Sequence, residues 1–205
     1  MLIQGQVGPL SSISSLAAGT NAPMRQGNLG EQIVQALHGK YSEATYRRSL
    51  YSVANQAGVT HSAALTTTFV GICVGNPSIS TVNIHLIGFG WSLLVASAAT
   101  AAIGIMTGTG TIANELTPRN RYVGGTSSRA YATQDDTLPG TPVLDIVVGS
   151  IGTVAITSWL PQTNHYIDLD GSIILPPNTF AASYMTTASG ASGFIGGFVW
   201  EEVPI

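Results

Sequence analysis

From residue 66 onward, short apolar and β-branched runs, alternating with polar residues at period two in 82–86 and 166–170, are interrupted at short intervals by Gly, Pro, Asn and Asp. That pattern predicts short half-buried strands joined by tight turns. Residues 66–74 form the first clear run and stop at Asn76-Pro77. In residues 82–95, Val82, Ile84 and Leu86 alternate with Asn83 and His85, and Gly88 and Gly90 suggest a bulge or bend. Residues 101–107, 142–148 and 153–160 read as further strands. The last stretch, 165–205, holds a run closed by Asp170-Gly171 and a run ending at Pro176-Pro177-Asn178. Strands at 180–187 and 193–203 follow them. In that turn Pro177 pre-sets the first turn position and Asn178 tolerates the positive φ of the second. The count reaches about eight or nine strands with no clear helix. The expected fold is all-β, an antiparallel β-sandwich of jelly-roll-like type with an extended N-terminal arm. The sandwich is expected over 61–205, preceded by an arm and extended segment over 1–60.

Upstream, periodicity is poor. Residues 1 to about 30 are rich in Gly, Ser, Ala, Asn and Gln, and read as an arm ordered only by contact with something else. In 31–57, Ile33, Val34 and Leu37 would share a helical face, yet Tyr41, Tyr46 and Tyr51 fit strands as readily. Residues 107–140 are rich in Gly, Thr, Ser and Asn and carry Arg119, Arg121, Arg129 and the Asp135-Asp136 pair. A segment of this length reads as an exposed excursion with one short strand near 128–132.

Composition sharpens this picture. Only 8% of the 205 residues are charged, against about 25% in an ordinary soluble domain. Lys40 is the single lysine, and no charged residue occurs from Ser49 to Asn114. A surface so poor in ions is expected to be covered by copies of the chain or by a partner. The net charge of −3 gives no footprint for nucleic acid. Residues 82–106 are uncharged and long enough to span a bilayer, but the period-two start, the internal glycines and the missing basic flanks speak for strands. The N-terminus lacks the positive region of a secretory signal. Cys73 lies in an apolar run and is expected to be a buried thiol.

The search for chemistry is nearly empty. His38, His61, His85 and His165 form no metal-ligand pair at short spacing, and no nucleophile elbow or phosphate-binding loop occurs. Asp168-Leu169-Asp170-Gly171 resembles the opening of a calcium loop but lacks its closing ligands, so an Asp-Gly turn explains it better. No enzyme activity, cofactor or metal is expected. Phe194, Phe198 and Trp200 fall on one face of the closing strand beside Gly193, Gly196 and Gly197. That face is either plain core or the axis of a symmetric trimer. Glu201-Glu202 would then stay solvated or pair with an Arg of another copy.

The run Ile173-Ile174-Leu175-Pro176-Pro177 and the closing Phe198-Val199-Trp200-Glu201-Glu202-Val203-Pro204 resemble small structural proteins of tailed bacteriophages. So do the segments from Gly30-Glu31 to Tyr41 and Ala54-Asn55-Gln56-Ala57. The resemblance implies a capsid cement, or decoration, protein on the outer surface of the virion shell. It also implies a homo-oligomer, a trimer, bound to the major capsid protein, with no nucleic acid or membrane partner. On that reading Tyr41, Tyr46, Arg47, Arg48 and Tyr51 contact the shell, and Phe194, Phe198 and Trp200 hold the trimer together. An alternative is a head-fibre or receptor-binding protein with a sugar site near Tyr122, Tyr131 and Asp135.

Overall fold

The computed structural model describes residues 39–95, 99–151 and 165–205, and the backbone of two short strands, β1 (Gly5–Gln6) and β2 (Met24–Arg25), which pair in parallel. The rest of the expected N-terminal arm and the strand expected at 153–160 lie outside the described residues. The chain divides into two compact units, Met1–Ser42 and Glu43–Ile205.

Among the described residues one short helix, α1 (Ser42–Tyr46), precedes ten strands. These are β3 (Leu50–Ala54), β4 (Thr68–Asn76), β5 (Val82–Leu93), β6 (Ala101–Thr109) and β7 (Arg119–Asn120). They continue with β8 (Tyr131–Thr137), β9 (Val143–Ile151), β10 (His165–Leu175), β11 (Thr179–Met185) and β12 (Phe194–Pro204). The first sheet has the order β10-β5-β12-β3-β7 and the second β8-β4-β11-β6-β9, all antiparallel. The pairings are nested. β3 meets β12, β4 meets β11, β5 meets β10 and β6 meets β9, and successive pairs alternate between sheets. One long hairpin rolled onto itself gives this order, which is the jelly roll. Residues between β6 and β9, expected to be an excursion, supply β7 and β8, which extend the sheets beyond β3 and β4.

The sandwich starts earlier than the expected boundary at residue 61. β3 alternates its burial and puts Tyr51 and Val53 into the core, so it belongs to the first sheet. Between the sheets lie Ile72, Val74, Ile84, Leu86, Phe89, Ile103, Ile105, Phe194, Phe198 and Trp200. The second sheet is buried on its outer face too. There Phe69, Cys73, Met106, Phe180 and Ala182 pack under Ile112 and Leu138. A sheet covered on both faces reads as nearly continuous apolar sequence. This explains much of the charge-free stretch without any partner.

Asp170-Gly171 does not close a hairpin. Both halves of β10 pair with β5, Asp168 opposite Gly88 and Ile173 opposite Leu86, so the residues between them form a bulge. Asp170 and Gly171 both have positive φ, at 50° and 76°, which lets the extra residues loop out without breaking the ladder. Asn178 has φ 67°, as its turn position demands. Its N–H donates to the Asn76 carbonyl, and its own carbonyl accepts from Gly110. Replacing Asn178 with alanine is expected to cost about 1 kcal/mol, since alanine lacks the local side-chain contacts that ease this conformation. Chemical denaturation of the variant beside Asn178→Gly, expected to be near neutral, checks this.

Candidate docking surface

The most distinctive surface lies where α1 hands over to β3. The helix closes with Arg47 N–H on the Glu43 carbonyl and Arg48 N–H on the Thr45 carbonyl. Arg48 then takes φ 62° and turns the chain toward β3. Beside it, the segment after β7 forms a tight turn. Asn120 Nδ2 donates to the Arg48 carbonyl at 2.8 Å, and its Oδ1 accepts from Tyr122 N at 2.8 Å. Gly125 N donates to the Tyr122 carbonyl at 2.7 Å. A Cβ on Gly125 would sit 2.6 Å from the Asn120 side chain, so the turn requires glycine there. From beneath, Tyr51 Oη and Thr126 Oγ1 share a 3.1 Å hydrogen bond.

This scaffold holds an arginine–tyrosine patch. The Arg48 guanidinium lies 5.0 Å from the Tyr122 ring centroid, a cation–π distance. Tyr46 is 76% exposed and Val123, at the tip of the turn, 94%. Arg119 and Arg121 are exposed and make no ion pair among the described residues. Arg47 bonds Glu43 at 2.8 Å, but both side chains are solvated, so the pair is worth little. Large rigid aromatics with arginine and no internal charge partner are the usual anchors of protein interfaces.

Of the expected shell contacts, the structure brings Tyr46, Arg47 and Arg48 together here. Tyr51 is not among them. It is 4% exposed and stacks on Trp200 at 6.3 Å, because strand alternation turns it inward. Tyr41 belongs to the first unit, where Lys40 Nζ lies 5.0 Å from its ring. Phe194, Phe198 and Trp200 are fully buried in the chain's own core, so they line no axis between subunits. Nor is the Glu201-Glu202 pair simply solvated. Glu202 Oε1 accepts from Ser128 Oγ and from Arg129 N at 2.8 Å, and Glu201 accepts from Ser49 Oγ at 3.1 Å. The sugar-site candidates separate: Tyr131 packs on the outer cluster of the second sheet, and Tyr122 lies under Arg48. Sequence reasoning had no way to join Tyr122 and Val123 to Arg48, which lie more than seventy residues away in the chain. The one local signal was the run Arg119-Asn120-Arg121-Tyr122-Val123-Gly124-Gly125.

One pair of side chains has the spacing of a nucleophile and its base. Ser183 Oγ and His61 Nε2 are 2.7 Å apart, and His61 Nδ1 donates to the Ser62 carbonyl at 2.6 Å. Ser183 Oγ in turn accepts from Ile72 N at 3.0 Å. His61 is 1% exposed and Ser183 fully buried, so no substrate reaches them. Burial pushes the imidazole down to about 4, against two hydrogen bonds that favour the charged form less strongly. Burial also raises the Cys73 thiol well above its usual range, with the Asp136 charge adding to the effect. Such a thiol is inert. Among the described residues no group of three His, Cys, Asp or Glu could hold a metal ion, and no helix is long and apolar enough to cross a membrane. No family model, curated protein or solved structure matches the chain.

Proposed function

We propose that this protein is a non-enzymatic structural component of a tailed-phage virion, of the capsid cement type, which binds the outside of the major capsid protein shell. The observation that carries the reading is the exposed patch of Tyr46, Arg48, Tyr122 and Val123, braced by the Asn120 side chain on the Arg48 carbonyl and with no carboxylate paired to Arg48 among the described residues. A rigid surface loses little entropy on docking. The sequence resemblance points the same way, and so does the scarcity of ionic side chains on a chain of this size. The mechanism is mass action: a protein that binds the assembled shell and not its dispersed subunits stabilises the shell in proportion to the logarithm of its free concentration.

Co-sedimentation of the purified protein with empty shells of the phage that carries its gene tests the reading. Saturable binding is expected. The Arg48→Ala/Tyr122→Ala variant should bind at least about thirtyfold more weakly, the effect of losing one interface anchor. No binding by the unaltered chain, or equal binding by the variant, overturns the proposal.

A further inference from the structure

On the reading of the arginine–tyrosine patch as the surface that docks on the shell, we infer the chemistry of what it meets there: an acidic protein surface, with carboxylates set around an apolar hollow.

The chain carries a net charge of −3, yet three guanidiniums gather at one end of its first sheet. Asn120 ties them together. Its chain neighbours are Arg119 and Arg121, and its side-chain amide donates to the Arg48 carbonyl at 2.8 Å. Asn120 stands opposite Tyr51, which points into the core. Strand alternation therefore turns Arg119 and Arg121 to the outer side of the sheet, about 7 Å apart. Both are exposed, and neither has an ion pair among the described residues. Arg48 is exposed as well, with its guanidinium over the Tyr122 ring. A guanidinium stacked in this way is ordered before binding and keeps its N–H edge for a planar anion.

The nearby carboxylates are engaged elsewhere. Glu43 bonds Arg47. Glu201 lies opposite Leu50, with β3 between it and β7, and accepts from Ser49 Oγ. Glu202 accepts from Ser128 Oγ and Arg129 N. This end of the sheet is therefore positive. The strand at its other end, β10, carries Asp168 and Asp170 and no Lys or Arg.

Guanidiniums alone would suit any anion, and Val123 narrows the choice. It is almost wholly exposed, at the tip of the turn that Gly125 N closes on the Tyr122 carbonyl. A phosphate backbone gives such a side chain nothing to bury against. Three cations are also few for a polyanion, whose affinity grows with each phosphate neutralised. A protein surface supplies both parts: carboxylates that take arginine in paired hydrogen bonds, and a hollow for the valine. Charge then selects the place on the shell, and burial of the valine adds affinity.

Two assays of the full chain test the inference: co-sedimentation with empty shells, and retention without shells on an immobilised glutamate–leucine copolymer. Binding is expected in both, weakened at least about tenfold when NaCl rises from about 50 to about 500 mM. Arg119→Glu/Arg121→Glu should lose at least about tenfold in both, with its denaturant midpoint unchanged. Arg119→Lys/Arg121→Lys keeps the charge and should bind better than Arg119→Gln/Arg121→Gln. Intact shells whose carboxylates have been capped with glycinamide by a carbodiimide should no longer bind. Immobilised duplex DNA should release the chain at lower salt than the copolymer does. No retention on the copolymer, or equal binding by the glutamate and glutamine variants and the unaltered chain, overturns the inference. So does normal binding to capped shells, or a tighter hold on DNA. Arginine-dependent retention on the copolymer without shell binding leaves the acidic partner standing and removes the virion reading. Shell binding that ignores salt and both arginines does the reverse.

Discussion

Truncating Phe198 to alanine is expected to cost about 3–5 kcal/mol of folding free energy. The ring is fully buried midway along β12. Its backbone sits between Val53 of β3 and Phe89 of β5, and its ring centroid lies 4.8 Å from that of Phe89. Hydrogen-bonded strands on both sides hold the surrounding walls apart, so little collapse into the void is available. The lost transfer energy and the cavity therefore both count. Urea unfolding of the isolated protein should show a lower midpoint with the slope unchanged. A loss below about 1 kcal/mol would mean that the ring is not tightly packed. Dissociation of an assembly with single-chain stability intact would return Phe198 to the inter-subunit role that its spacing in sequence suggests.

Acid should weaken the fold through His61 by about 3 kcal/mol. The imidazole has its pKa lowered from 6.5 to about 4 by burial, so the folded state takes up its proton later than the unfolded chain does. Above pH 6.5 both states hold the ring neutral and its contribution is fully present. Between pH 6.5 and about 4 the unfolded chain binds a proton that the folded one refuses, and stability falls by roughly 1.4 kcal/mol per pH unit. The ring cannot easily escape. Phe69 and Phe194 meet it edge-on at 5.7 and 4.7 Å, and Ser183 holds Nε2. Gly71 makes the space, since a Cβ there would lie 2.7 Å from Nε2. Denaturant midpoints at pH 7.5, 5.5 and 4.5 should fall for the unaltered protein. In His61→Gln, less stable at neutral pH, the share of that fall due to this ring, which runs from pH 6.5 to about 4, should vanish. An equal fall in both proteins assigns the acid sensitivity elsewhere.

The sheets were legible in the sequence because strands declare themselves locally. The runs at 82–95 and 101–107 correspond to β5 and β6, and the turn residue Asn178 has the positive φ its position requires. Long-range partnership was not legible. Asp170-Gly171 has the residues of a hairpin turn, and only the continued pairing of both flanks with β5 makes it a bulge. Tyr51 looked like one of three similar tyrosines, yet it alone falls on an inward strand position. The same holds for the closing aromatics: their shared face was evident, and which body lay against it was not. The low charge content had two sources that composition cannot separate, since a second sheet buried on both faces needs few ions whether or not a partner exists. The arginine–tyrosine patch was half legible. Arg47 and Arg48 stood out as a pair, whereas Tyr122 reaches them only because β7 lies against β3.

The place of β12 has a further consequence for how the molecule is made. It joins β5 to β3, so the first sheet is two separate pieces until that strand arrives, and the ribosome delivers it after the other described strands of the sandwich. Throughout synthesis the nascent polypeptide must therefore carry bare strand borders of β3 and β5, with few ionic groups to keep them apart from other chains. Production of this protein is a race between delivering β12 and clumping, and slow elongation or missing chaperones would tilt it toward loss.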